Sequence, residues 1–202
     1  MAARGLVHGP LGDGCLHLCV DMQRLFGPGY PWAVPWLEKV LPAIASLAAR
    51  NPVRTVFTRF IPVRHPGEGL GTWARYYRRW ASVTLEAIGE DAVRLVPELE
   101  RFAPPAHVVD KRVYSPWTEG VLDGLLAGSG IDTVVITGGE TDVCVLATAL
   151  GAIDRGLRVV LVTDALCSSS DATHDALMVL YGTRFGMQVE IAETEEVLEH
   201  WR

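Results

Sequence analysis

No apolar run in this 202-residue chain approaches the roughly 18 residues needed to cross a bilayer. The N-terminus also lacks the signal-peptide order of charge, apolar stretch and small-residue cleavage site. These absences speak against a membrane protein or an exported one and point to the cytoplasm. Cysteine is scarce: Cys15, Cys19, Cys144 and Cys167 are the four, without paired metal-ligand spacing, so free thiols fit better than a disulfide framework. Positive charge is in deficit, with 18 Lys and Arg against 24 Asp and Glu and a net charge of −6. That balance argues against a nucleic-acid partner, because phosphate binding needs clustered basic residues. Internal repeats and low-complexity segments are missing too. The glycines between Gly9 and Gly14 precede a strand where a dinucleotide fingerprint would follow one.

What is present is a 49% hydrophobic composition, enough for one sizeable core and read as one domain over 1–202. Short apolar runs near 15–20, 53–58, 107–110, 132–137, 158–163 and 188–192 alternate with helical patterns. This is the pattern of repeated βα units, which predicts a three-layer α/β/α fold around a six-stranded, mainly parallel sheet. A first helix is announced by Pro35 and carries Trp36, Leu37, Val40, Leu41, Ile44 and Leu47 on one side. Pro42 lies inside it and predicts a kink or a late start. Further helices are expected after Thr118, with Val121, Leu122, Leu125 and Leu126 inward, and after Asp171, with Ala176, Leu177 and Leu180 inward.

The stretch Thr137-Gly138-Gly139-Glu140-Thr141-Asp142-Val143-Cys144-Val145 links a buried strand to a helix whose Val143, Leu146, Leu150 and Ile153 share one face. Cys144 therefore falls in the first turn of that helix. Unpaired N–H groups and the helix dipole there favour an anion and would lower the pKa of a thiol. Taken alone, Cys144 reads better as a small buried hydrophobe. Two other apolar strands also end on an ionisable residue, Asp21 after Leu18-Cys19-Val20 and Lys111 after Val108-Val109-Asp110. Singly, the aspartate reads as a turn cap and the lysine as a surface pair. In an open parallel sheet, however, strand carboxyl ends converge on one crevice, so the three would meet.

Val20-Asp21-Met22-Gln23, Asp110-Lys111 with Tyr114-Ser115-Pro116-Trp117, Gly138 to Val145 with Ala147-Thr148-Ala149, and Asp164-Ala165 with Ser168-Ser169-Ser170 together resemble the isochorismatase-like cysteine hydrolases along nearly the whole chain. The resemblance implies hydrolysis of a small amide or ureido compound by an Asp21, Lys111 and Cys144 triad through a thioester, with no cofactor. It also implies a cis peptide at Gly139–Glu140, an oxyanion hole made by the N–H groups of Glu140 and Cys144, and a homo-oligomer. Metal-dependent relatives carry an Asp and a His after the second strand. This chain has Thr58-Arg59-Phe60-Ile61-Pro62 there, with His65 alone nearby, so no metal is expected. An ether hydrolase and a non-catalytic binding subunit on the same fold are the other readings, and the retained Cys144, Asp21 and Lys111 count against both.

Substrate contacts are harder to assign. Arg59 could meet a substrate carboxylate, which would suggest an acidic amide, or pair with a neighbouring carboxylate. Glu140 would favour an amine or extra N–H donors if it faces the pocket, and says nothing if it turns outward. Gln23 follows the Asp21 strand end and joins the list. Residues 61–80 combine a Pro- and Gly-rich loop with Trp73, Tyr76 and Tyr77, and read either as a lid or as a subunit interface. These aromatics and Trp117 would form apolar walls, or would simply be core.

Overall fold

Each of the six apolar runs becomes a strand, and all six join one sheet. The computed structural model describes residues 5–201. The strands are β1 (Cys15–Val20), β2 (Thr55–Phe60), β3 (His107–Lys111), β4 (Thr133–Gly139), β5 (Arg158–Cys167) and β6 (Val189–Ala192). Their order is β3-β2-β1-β4-β5-β6, and every neighbouring pair is parallel. The helices are α1 (Leu37–Arg50), α2 (Thr72–Arg79), the single turns α3 (Leu85–Ile88) and α4 (Pro97–Glu100), α5 (Val121–Leu126), α6 (Cys144–Asp154), α7 (Asp171–Thr183) and α8 (Thr194–His200). No helix among the described residues is long and apolar enough to cross a membrane.

Strand alternation divides the core into two layers. Cys15 and Cys19 of β1, Val135 of β4 and Val160 and Val162 of β5 face α1, α4 and α8, where Ile44, Leu47, Leu99, Val197 and Trp201 are buried. Leu16, Leu18, Val20, Val134, Ile136, Val159 and Leu161 face the other way, onto α5, α6 and α7. With apolar side chains on both faces, the central strands β1 and β4 have no solvated side, which is why they read as continuous apolar runs.

Three helix expectations need correction. The first helix starts at Leu37 and continues through Pro42, so the late start is not what occurs. Buried Leu37, Val40 and Leu41 before the proline and Ile44, Leu47 and Ala48 after it anchor both sides, which offsets the one lost hydrogen bond. In α6 the buried stripe is Cys144, Val145, Thr148, Ala149 and Ala152, one position away from the expected one. Leu146 and Ile153 pack only at its flanks. Small residues let this helix sit close to its neighbours: a Cβ on Gly151 would meet Trp117 Cδ1 at 2.1 Å. In α7 the buried residues are Tyr181 and Gly182, whereas Ala176 and Leu180 are exposed and Leu177 is half-buried. Among the described residues, nothing covers the outer side of that helix.

The switch in strand order falls between β1 and β4, and the crevice opens there at the carboxyl ends. Gly138 makes this junction possible. Its φ is +99°, and a Cβ would lie 2.1 Å from the Val20 carbonyl oxygen, so a side chain is excluded by both backbone conformation and space. Beside it the β4–β5 pairing shifts register: two steps along β4, Ile136 to Gly138, span five along β5, Leu161 to Leu166.

Candidate active site

Asp21 follows β1 directly, and it is the one non-glycine residue with positive φ (52°) among the described residues. That left-handed backbone is disfavoured for a side chain, less so for Asp than for most. It is held by the Asp21 N–H, which donates to the Thr58 carbonyl at 3.2 Å, and by the Thr58 hydroxyl, which donates to Asp21 Oδ1 at 2.6 Å. Lys111 closes β3, two strands away in the sheet. Its stem crosses β2, and its ammonium lies 5.1 Å from the centroid of the Phe60 ring. Nζ reaches Asp21 Oδ2 at 2.6 Å, Cys144 Sγ at 3.4 Å and the Val113 carbonyl at 3.3 Å. Three strand ends thus bring carboxylate, ammonium and thiol into contact, with the Asp21 and Lys111 side chains each only 1% exposed.

Cys144 is the first residue of α6, as its spacing predicts. The peptide Gly139–Glu140 is cis, as the resemblance implies. Thr141 pins the segment: its N–H donates to the Cys167 carbonyl at 2.9 Å, and its carbonyl accepts from the Tyr181 hydroxyl at 3.1 Å. Among the described residues, the N–H groups of Glu140 and Cys144 have no hydrogen-bond acceptor.

The thiol does not behave as helix position alone suggests. Burial pushes the Cys144 pKa well above the ordinary thiol value and the nearby Asp21 carboxylate pushes it the same way, while Lys111 pulls it down. For Lys111, burial opposes the ammonium, but Asp21 and the Cys144 sulfur more than offset it and its pKa rises. Burial and Asp21 thus favour the thiol over the thiolate, and Lys111 opposes them. Desolvation is a contribution that the sequence does not display.

A small cavity of about 70 Å³ opens above the sulfur, lined by Phe26, Trp32, Phe60, Tyr76, Tyr114, Glu140, Val143 and Cys144. Of the residues suggested as substrate contacts, Tyr76 and Glu140 line it. Trp73 stands behind them, with its ring centroid 5.3 Å from Tyr76 and 5.0 Å from Tyr114, and Tyr77 is buried beneath α2. The 72–79 segment thus walls the cavity.

Three suggested contacts point elsewhere. Arg59 gives both arms of its fork to Asp110, at 2.7 and 2.9 Å. Gln23 spends its amide on Phe60 N–H, Phe60 carbonyl and Val93 carbonyl, at 2.7, 3.0 and 2.9 Å, clamping β1 to β2. Trp117 is core under α6, its Nε1 donating to the Thr148 carbonyl at 2.9 Å. Thr58, Trp32, Phe26 and Phe60 are contributors that the sequence reading passed over. Tyr114, which lines the cavity, stood among the motif residues, but its position three after Lys111 was a signal left unused.

The metal expectation can be weighed on the donors present. His65 lies on an exposed loop 3.2 Å from Glu86, and no group of three His, Cys, Asp or Glu among the described residues could hold an ion. These residues do not fit a metal site.

The isochorismatase domain matches residues 15–193, and the chain belongs to that family, as an enzyme of the hydrolase class. Nicotinamidase 3 of Arabidopsis thaliana is 28% identical over 175 residues, covering 86% of this chain and 83% of its own length. Maleamate amidohydrolase of Pseudomonas putida is 29% identical over 190 residues, covering 91% and 86%. The fold is shared with a cysteine hydrolase from Pseudomonas syringae pv. phaseolicola, with a TM-score of 0.81 at 23% identity over 98% of this chain and 97% of that one.

Proposed function

We propose that this protein hydrolyses the C–N bond of a small carboxamide or ureido compound through a thioester on Cys144, with Asp21 as base and acid and Lys111 as the counter-charge. The observation that carries the reading is the ammonium of Lys111 lying 2.6 Å from Asp21 and 3.4 Å from the sulfur at the floor of the cavity. The names of the nicotinamidase and maleamate amidohydrolase relatives support amide chemistry.

An amide needs an activated nucleophile, a place for the oxyanion and an acid for the departing nitrogen. Starting from the thiol, Asp21 takes its proton as sulfur attacks the carbonyl carbon. The developing oxyanion is met by the N–H groups of Glu140 and Cys144. The C–N bond then breaks, Asp21 returns the proton to the leaving nitrogen, and ammonia or an amine departs. Asp21 next deprotonates a water, whose oxygen attacks the thioester. The C–S bond breaks, the acid is released and the proton returns to sulfur. Throughout, Lys111 keeps the carboxylate and the transient thiolate from repelling one another.

Ammonia release from a panel of small carboxamides and ureido acids, with and without chelator, tests this. Turnover is expected to survive the chelator and to fall by at least about a thousandfold in Cys144→Ala, with the fold retained because alanine suits a helix's first turn. Activity that persists without the thiol, or that vanishes with the chelator, would overturn the mechanism.

A further inference from the structure

The charges facing the cavity do not cancel. Asp21 and Lys111 neutralise each other at 2.6 Å, and Arg59 is held by Asp110 outside the lining. Glu140 is left as the unbalanced charge beside Cys144. Its Oε2 accepts from the Ser169 N–H at 2.6 Å, which fixes the carboxylate, while its Oε1 has no hydrogen-bond partner among the described residues. The facing walls are the rings of Trp32, Phe60, Tyr76 and Tyr114, and aromatic faces attract cations. Burial raises the pKa of Tyr76 and of Tyr114, so both stay neutral and Glu140 remains the anionic side chain of the lining.

We propose that the site selects a carboxamide bearing a positively charged amine, with Glu140 as the specificity-determining residue. The proposal rests on the amide-hydrolase reading for its carboxamide half. A carboxylate-bearing amide would meet Glu140 with like charge and would find no free guanidinium or ammonium in the lining. An ammonium would meet one fixed carboxylate oxygen and several ring faces. The acidic substrate that Arg59 suggests is thereby replaced by one of opposite sign.

The test is calorimetric binding to Cys144→Ala of three ligands matched in shape: β-alaninamide, butanamide and succinamate, which carry an ammonium, a methyl group and a carboxylate. β-Alaninamide is expected to bind at least about tenfold more tightly than butanamide, a difference of about 1.4 kcal/mol, with succinamate weakest. Adding Glu140→Gln, which keeps an acceptor for Ser169 and removes the charge, should bring the ammonium-to-methyl affinity ratio close to one. Succinamate binding as tightly as β-alaninamide, undetectable β-alaninamide binding, or a ratio that survives Glu140→Gln would each overturn the proposal. The ligand order in the parent protein decides the question even if the double variant does not fold. Failure of the hydrolase reading would look different: no ammonia from any amide with wild type, whatever the binding order.

Discussion

Replacing Lys111 with Met tests the site through stability, with no substrate needed. The ammonium and the Asp21 carboxylate are both about as buried as any charged group in the chain, at 1% exposure each. Removing the ammonium leaves the carboxylate with only the neutral Thr58 hydroxyl at 2.6 Å and the Cys144 thiol beside it. An exposed pair would contribute about 0–1 kcal/mol, but an orphaned buried charge costs about 3–5 kcal/mol. The second figure applies here because solvent cannot reach either partner.

Urea unfolding followed by tryptophan fluorescence gives the numbers. Asp21→Asn with Lys111→Met should recover most of the loss, since a neutral amide replaces the orphaned charge, and the cycle would then show a coupling of several kcal/mol. A single-variant loss below about 1 kcal/mol, or a double variant as costly as the sum of the two singles, would refute the buried pair.

Two further outcomes concern the thiol and the outer face of α7. Because burial and Asp21 raise the Cys144 pKa, its alkylation by iodoacetamide in the resting protein should still be accelerating as pH rises past neutrality. A rate that levels off below about pH 7 would mean a thiolate already formed. Cys144 should nevertheless react first, because it alone of the four cysteines lines the cavity. Val179 and Leu180 of α7 and nearby Met187 are 65%, 36% and 86% exposed, an apolar surface of the kind that partner subunits cover. Light scattering is expected to give a mass of at least twice 22.0 kDa, falling toward the monomer in Val179→Glu with Met187→Glu. A monomeric wild type would remove the homo-oligomer from the reading.

Much of the site was legible along the chain. Apolar runs bounded by turn residues located the six strands, and three of them end on or beside Asp21, Lys111 and Cys144. In a parallel α/β sheet, that position alone brings residues distant in sequence to one edge. The helix start near Cys144 was likewise a local matter, set by periodicity, whereas the need for glycine at 138 comes partly from the Val20 backbone packed against it.

What periodicity could not say is where each remaining side chain points and what it touches. Arg59 and Phe60 are neighbours, yet alternation along β2 gives the first to Asp110 and the second to the cavity. Gln23 and Trp117 stand beside motif residues but are consumed by hydrogen bonds inside the core. The direction of the Cys144 pKa was reversed by burial and by a carboxylate 123 positions earlier in the chain, because desolvation depends on surroundings assembled only in the fold. Local chemistry in the sequence therefore determined which elements form and which reactive groups meet. Tertiary packing decided which aromatic rings wall the cavity and which charges remain unpaired within it.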